Sequence, residues 1–405
     1  MTEATVRLPG AARHEYRIVA SISAAHFVSH YYILLLPPLF LFVRAEYGVS
    51  FTELGLALTA FNVTSAAFQT PAGFLVDRIG ARIVLVGGLL IGAAAAAVAG
   101  LVPSFWVFVA MFGFAGIANA VYHPADYALL SHFVSAERMS RAYSIHSFAG
   151  FFGSAVAPVS LLFLESQVGW RGAMLAAAIL ALAMAALLMA QPAATMEAER
   201  PVRAQTGKGG EGSGLRLLLT GPILLNLVFF MFFAIANAGL QNYSVVALGA
   251  LFGTAPTIAN SALTAYLLLS ATGVLVGGYV AGRYGRHGLI AMAGAAALAS
   301  LALLVGSVDL GTLALMLVMG AAGFCFGFIT PSRDMIVRAV TPPGSFGKVF
   351  GFVTSGINFA GMVAPLIFGA LMDHGYPGGV FLLVAAACLI GIATVATVRT
   401  RPRGG

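Results

Sequence analysis

The stretch Asn119-Ala-Val-Tyr122-His123-Pro124-Ala-Asp126-Tyr127 lies inside an apolar run that begins near Phe105. It is echoed by Phe326-Gly-Phe-Ile-Thr330-Pro331-Ser332-Arg333-Asp334, at an offset of 207 residues that sets Pro331 on Pro124 and Arg333 on Asp126. The same offset sets Ala364-Pro365 on Ala157-Pro158. The chain therefore reads as one half written twice, with opposite charges at one apolar-embedded position of the two copies.

Hydrophobic residues make up 60% of the 405 and charged residues only 9%, with mean hydropathy +0.95. A soluble domain carries about 25% charged residues, so the composition points to a polytopic membrane protein. A span takes about 20 apolar residues, and without water every backbone group must be satisfied internally, which dictates helices. The apolar runs are continuous rather than alternating, which excludes an outer-membrane barrel. Spans are read at 18–43, 52–76, 82–102, 104–130, 139–164 and 171–190, then at 217–249, 257–282, 287–307, 310–337, 345–372 and 378–398. The expected fold is all-α: twelve transmembrane helices in two pseudo-symmetric six-helix bundles, 1–190 and 215–405, joined by a polar linker over 191–214.

The net charge of +7 invites a nucleic-acid reading, but the placement of the charges argues otherwise. With Met1 in the cytoplasm, all but Arg44, Arg171 and Arg333 of the 21 Lys and Arg fall in cytoplasmic segments. That bias places both termini inside a bacterial-type inner membrane and leaves no nucleic-acid role. Cys325 and Cys388 lie within apolar runs and read as free buried thiols. The polar start, Met1 to Arg17, precedes a full-length span, so no cleavable signal peptide is expected.

Polarity varies among the spans with a period of three. Spans one, four, seven and ten carry the polar side chains, from His26, Ser29, His30, Tyr31 and Tyr32 to Thr330, Ser332, Arg333 and Asp334. Polar groups at membrane depth face a bundle interior or a wet cavity, so these four spans are expected to line a central cavity. Spans three, six, nine and twelve would lie outermost.

The loop after span two reads Gly73-Phe-Leu-Val-Asp77-Arg78-Ile-Gly80-Ala-Arg82, and its counterpart after span eight is Gly278-Tyr-Val-Ala-Gly282-Arg283-Tyr-Gly285-Arg286. A glycine followed four residues later by Asp-Arg, then glycine and basic residues, resembles the signature loop of the major facilitator superfamily. Gly73 is expected to let neighbouring helices approach closely. The resemblance implies that Asp77 latches the cytoplasmic side against the far half, with Arg78, Arg82 and Arg283 in the gating loops. Tyr122-His123-Pro124 and the Ser/Gly-rich span five look like the fosmidomycin-resistance-like branch, which is associated with export of a phosphonate drug. Gly150-Phe-Phe-Gly153-Ser-Ala-Val-Ala157-Pro158 loosely resembles the span-five motif of exporters.

Asp126 and Asp334 are the carboxylates deep in spans. A charge at the bilayer centre costs roughly 2.5–3.5 kcal/mol on insertion scales, so such a group needs a partner or a function. Asp126 is the first candidate proton carrier; a fixed ion pair with Arg333 is the competing reading. Asp334 is read as proton-coupling or as a structural partner of Arg338. His30 and His123 are candidates for proton relay, whereas His26 and His146 are read as hydrogen-bonded structural histidines. Arg333 suits an anionic substrate, because its planar fork matches carboxylate or phosphonate. Tyr31, Tyr127, Gln241, Asn242, Tyr243 and Asn358 complete the candidate substrate contacts. No metal site or cofactor is expected, as no zinc-binding motif occurs.

These readings lead to the expectation of a proton-coupled secondary transporter working by alternating access. It would act as a monomer in the bilayer, exporting a small organic anion or amphipathic drug. Uptake of an organic anion by proton symport is the alternative. No ATP-binding loop appears, and the spacing needed for an intramembrane enzyme is missing. A sensor without transport would not need the buried Asp and Arg.

Overall fold

The computed structural model describes residues 11–191, 216–342 and 346–397, and among these every regular element is helical. The expected linker at 191–214 falls, beyond Gln191, outside the described residues. Helix α1 (Ala11–Ile33) ends before Pro37-Pro38, which lack N–H donors, and a 3-10 turn, Pro37–Leu39, leads into α2 (Phe40–Tyr47). A capping box opens α3 (Phe51–Ile79): Glu53 N donates to Ser50 Oγ at 3.1 Å, and Ser50 N donates to Glu53 Oε2 at 2.7 Å. Next come α4 (Ala81–Leu101), α5 (Phe105–Ala120) and α6 (Tyr122–Phe133). The break between α5 and α6 falls at Val121 because Pro124 cannot donate to the Ala120 carbonyl.

Helix α7 (Ala136–Ala190) is a 55-residue run interrupted at Gly169, where φ is 71° and ψ 167°. The second part of the chain holds α8 (Gly221–Ala238), a π turn (Gly239–Tyr243), α9 (Ser244–Phe252) and α10 (Pro256–Tyr284). It continues through α11 (His287–Ser307), α12 (Thr312–Val340), α13 (Phe346–Asp373) and α14 (Gly378–Thr397). Among the described residues, ten stretches are long and apolar enough to cross a membrane. One of them, Ile145–Ala190, has 46 residues, about twice what one crossing takes, and contains the Gly169 break. The span read at 52–76 is a continuous helix, but it is not one of the ten, since Asn62, Thr64, Ser65, Gln69 and Thr70 dilute its apolar character.

Packing separates the helices into two groups. In the first, α1 packs on α7, α3 on α5, and α4 on α5 and α7; in the second, α10 packs on α12, α11 on α12 and α14, and α8 on α13 and α14. The repeat seen in the sequence recurs in this packing. Gly116 of α5 lies against the Phe61 carbonyl of α3, and Gly323 of α12, 207 residues on, lies against the Tyr266 carbonyl of α10. A Cβ at either glycine would collide with the opposing backbone.

The two groups meet chiefly through α3 with α13 and α7 with α10, and the contact is unequal along its length. At the end carrying Ser50 and Asp373, the Asp373 carboxylate accepts from Phe51 N at 2.7 Å, Thr52 N at 2.8 Å and Thr52 Oγ1 at 2.5 Å. Tyr243 OH donates to the Pro365 carbonyl at 2.6 Å, and Thr59 Oγ1 to the Met362 carbonyl at 2.9 Å. Towards the Gly80 end the groups part. A cavity of about 530 Å³ opens there between Tyr143, Ser147 and Phe151 of α7 and Ala271 and Val274 of α10. The close approach expected at Gly73 is not made in this conformation: a Cβ there would meet nothing within 4 Å.

Candidate ion and substrate site

The most buried charge-bearing group of the first half is Asp126, which sits on α6 just beyond the kink, with no solvent exposure. His26 and His30, one turn apart on α1, present the same face to it. From α7 comes His146, followed one turn later by Gly150. A Cβ at Gly150 would lie 2.8 Å from His26 Nε2 and 3.0 Å from His30 Cδ2, so the missing side chain makes room for both imidazoles.

His26 Nδ1 lies 3.3 Å and His146 Nε2 3.6 Å from the same oxygen, Asp126 Oδ2. The two rings lie nearly parallel with centroids 3.8 Å apart, and the His123 ring is 5.4 Å from His26. His30 Nδ1 is 3.2 Å from Ser154 Oγ. Both Asp126 oxygens, His26 Nδ1, His123 Nδ1 and both His146 nitrogens are buried without a hydrogen bond. Buried polar atoms are nearly always partnered, so this concentration of unpartnered atoms sets the cluster apart. His123 stacks on Tyr127 at 5.9 Å, and Tyr127 is 45% exposed, which connects the cluster to open space.

Arg333 occupies the related position of the second half and does not pair with Asp126. Its Nη2 and Nε lie 2.9 and 3.0 Å from Asp334 Oδ1, and its guanidinium carbon sits 4.2 Å from the Phe230 ring centroid. Phe233, 5.9 Å from the same carbon, stacks on Phe326 at 4.5 Å. The repeat aligns positions 126 and 333 in sequence, but each faces helices of its own half; a neighbouring carboxylate and an aromatic face satisfy the arginine. A planar cation over aromatic rings, with its Asp334 partner 43% exposed, is suited to exchanging that carboxylate for a ligand anion.

Of the other expected contacts, Tyr31 is buried with its OH 3.0 Å from Ser160 Oγ, so it joins α1 to α7 rather than facing a cavity. Tyr243 is fully buried and belongs to the closed end through the Pro365 carbonyl. Gln241 and Asn242 are half-buried at the π turn, where Asn237 Nδ2 donates to Gln241 Oε1 at 3.1 Å and Tyr266 OH to Asn237 Oδ1 at 2.8 Å. Asn358 is exposed on α13. In the last turns of α3 and α10, Arg78 and Arg283 are exposed, and the Asp77 side chain lies outside the described residues. Arg82 does not reach the far half: its Nη2 donates to the carbonyls of Leu188, Met189 and Gln191 at 3.0, 3.0 and 2.7 Å, capping the end of α7.

Sequence reasoning ranked His26 and His146 below His30 and His123, and it missed Asp373. Gly150, one turn beyond His146 in a run of bulky residues, was the available signal for the histidines. Nothing local announces Asp373, because its partners are more than 320 residues away.

Helices in two groups, closed at one end and enclosing charged side chains, define a membrane transporter scaffold. The family model of the Major Facilitator Superfamily matches residues 22–248 and 227–405, and the chain belongs to that superfamily. It is 23% identical over 390 residues to the fosmidomycin resistance protein of Escherichia coli (strain K12), covering 95% of this chain and 93% of the relative. It is also 23% identical over 398 residues to the MFS-type transporter YfnC of Bacillus subtilis (strain 168), covering 97% and 95%. Among solved structures, the nucleoside transporter NupG matches with a TM-score of 0.79 at 14% identity, covering 94% of this chain and 100% of that one. The protein is thus an integral membrane protein of a transporter family, with a likeness to the fosmidomycin-resistance-like branch that runs the length of the chain.

Proposed function

We propose that this protein is a cation-coupled secondary transporter that exports a small organic anion or amphipathic compound by alternating access. It would work from twelve spans in two six-helix bundles, 1–190 and 215–405. The observation that carries the reading is the unequal contact between the two helix groups, tied at the Ser50 and Asp373 end and apart at the other. The Lys and Arg bias puts both termini, and hence the open Gly80 end, in the cytoplasm of a bacterial inner membrane. This conformation is then the inward-open one. Arg333 over Phe230 and Phe233 holds the anionic group of the solute, and the Asp126 cluster holds the coupling cation. A secondary transporter of this kind rocks its halves about such a midplane site.

The test is solute flux into liposomes under an imposed proton or metal-ion gradient, with fosmidomycin and a panel of organic anions as solutes. Wild type is compared with Asp126→Asn. The expected outcome is solute flux that depends on a cation gradient in wild type and loses that dependence in Asp126→Asn. Flux equally coupled in both proteins would overturn the assignment of the cation to Asp126. No flux of any solute would count against transport itself.

A further inference from the structure

The cluster around Asp126 has a feature that hydrogen bonding does not account for. An O–H or N–H donor between carboxylate and imidazole brings the heavy atoms to about 2.7–3.0 Å. Here the two separations to Asp126 Oδ2 are 3.3 and 3.6 Å, and the atoms count as unbonded. Ligands around a tetrahedral metal ion with bonds of about 2.0–2.2 Å stand about 3.3–3.6 Å apart. One nitrogen from each of His26 and His146 and one oxygen of Asp126 lie within 4.8 Å of one another, all three residues buried.

We propose that His26, Asp126 and His146 form a binding site for a divalent transition-metal ion of the zinc, cobalt or nickel type, and that the transporter carries this ion. The inference rests on the reading of the cluster as the cation site and names the cation. Two imidazoles and a carboxylate suit these ions. Magnesium and calcium prefer six or more oxygens, and copper(I) prefers sulfur; both cysteines, Cys325 and Cys388, lie in the other half of the chain. A dication also neutralises a buried carboxylate that otherwise sits among imidazoles alone. The half-buried His123, between His26 and the exposed Tyr127, marks the side from which the ion enters and offers a further nitrogen there.

The experiment titrates purified full-length protein in detergent with Co2+ and with Zn2+ alone. It reads the bound metal, the visible absorption of Co2+, and the thermal midpoint. Wild type should bind one ion, with the intense absorption of low-coordinate Co2+ and a midpoint that rises with metal concentration. Asp126→Asn and His146→Gln should each weaken binding by more than about 100-fold, beyond the about 10–100-fold produced by removing an outer partner of a ligand. The double variant Cys325→Ala, Cys388→Ala should bind as wild type does. Wild-type binding no tighter than that of Asp126→Asn, or binding lost with the cysteines, overturns the site.

In liposomes loaded with a metal-sensitive dye, wild type should admit Co2+ and Asp126→Asn should not. Co2+ bound but never moved overturns carriage of the ion. Organic-anion flux that persists while no metal binds overturns the metal and leaves the transport reading standing. Metal bound tightly with no flux of any solute supports the site and sinks the transport reading.

Discussion

Positions 126 and 333 are related by the same repeat, yet one ends fully buried among imidazoles and the other half-buried on aromatic rings beside an exposed carboxylate. Part of the frame around them is shared, a glycine on a carbonyl at Gly116 and Gly323 and a proline before the charge at Pro124 and Pro331, although the helix breaks at Val121 in the first half and runs on through Pro331 in the second. Duplication has kept that part of the frame and divided the chemistry. One half presents acceptors and imidazole nitrogens, the other a guanidinium.

The frame itself gives the sharpest check. Leucine at either Gly116 or Gly323 must push two helix backbones apart, at a cost of about 3 kcal/mol or more. Gly116→Leu and Gly323→Leu should therefore lower the thermal midpoint in detergent by similar large amounts. A large drop in only one would break the equivalence of the two frames. The chemistry should behave in the opposite way. Arg333→Gln removes a charged donor worth about 1.5–3 kcal/mol to an anion, so anion affinity measured by flux or scintillation proximity should fall about 10–100-fold. Cation binding at Asp126 should be unaffected by that change, and a parallel loss of both would show that the halves do not divide the work. The smallest effect concerns the closed end. Tyr243→Phe deletes one hydrogen bond, worth about 1 kcal/mol, and should raise labelling of a cysteine placed at Thr59 by an impermeant reagent about fivefold.

Much of this architecture is legible in the sequence itself. The apolar runs fix where helices fall because the hydrocarbon leaves no other way to satisfy a backbone. Pro124 and Pro331 exposed the duplication. The identity of Asp126's neighbours was not legible, since His26 and His146 come from helices placed by tertiary packing rather than by any spacing along the chain. The alignment of 126 with 333 even pointed the wrong way: equivalent positions in a duplicated fold occupy matching places in their own halves, and that does not place them in contact. The tyrosines show the same limit. Polarity put Tyr31 and Tyr243 in the cavity, but a phenol buries most of its surface once its OH finds one partner, as each does here.

The seal at the Asp373 end is written almost wholly in main-chain atoms of the opposite half: the amides of Phe51 and Thr52, and the carbonyls of Pro365 and Met362. Every residue type supplies a carbonyl, and every type except proline supplies an amide. These four positions can therefore change their side chains as long as the helices keep their course, which the close backbone approach at Gly55 and Gly369 maintains. A gate of that kind is indifferent to cargo, which leaves the residues facing the cavity free to be rewritten for a new solute without rebuilding the closure.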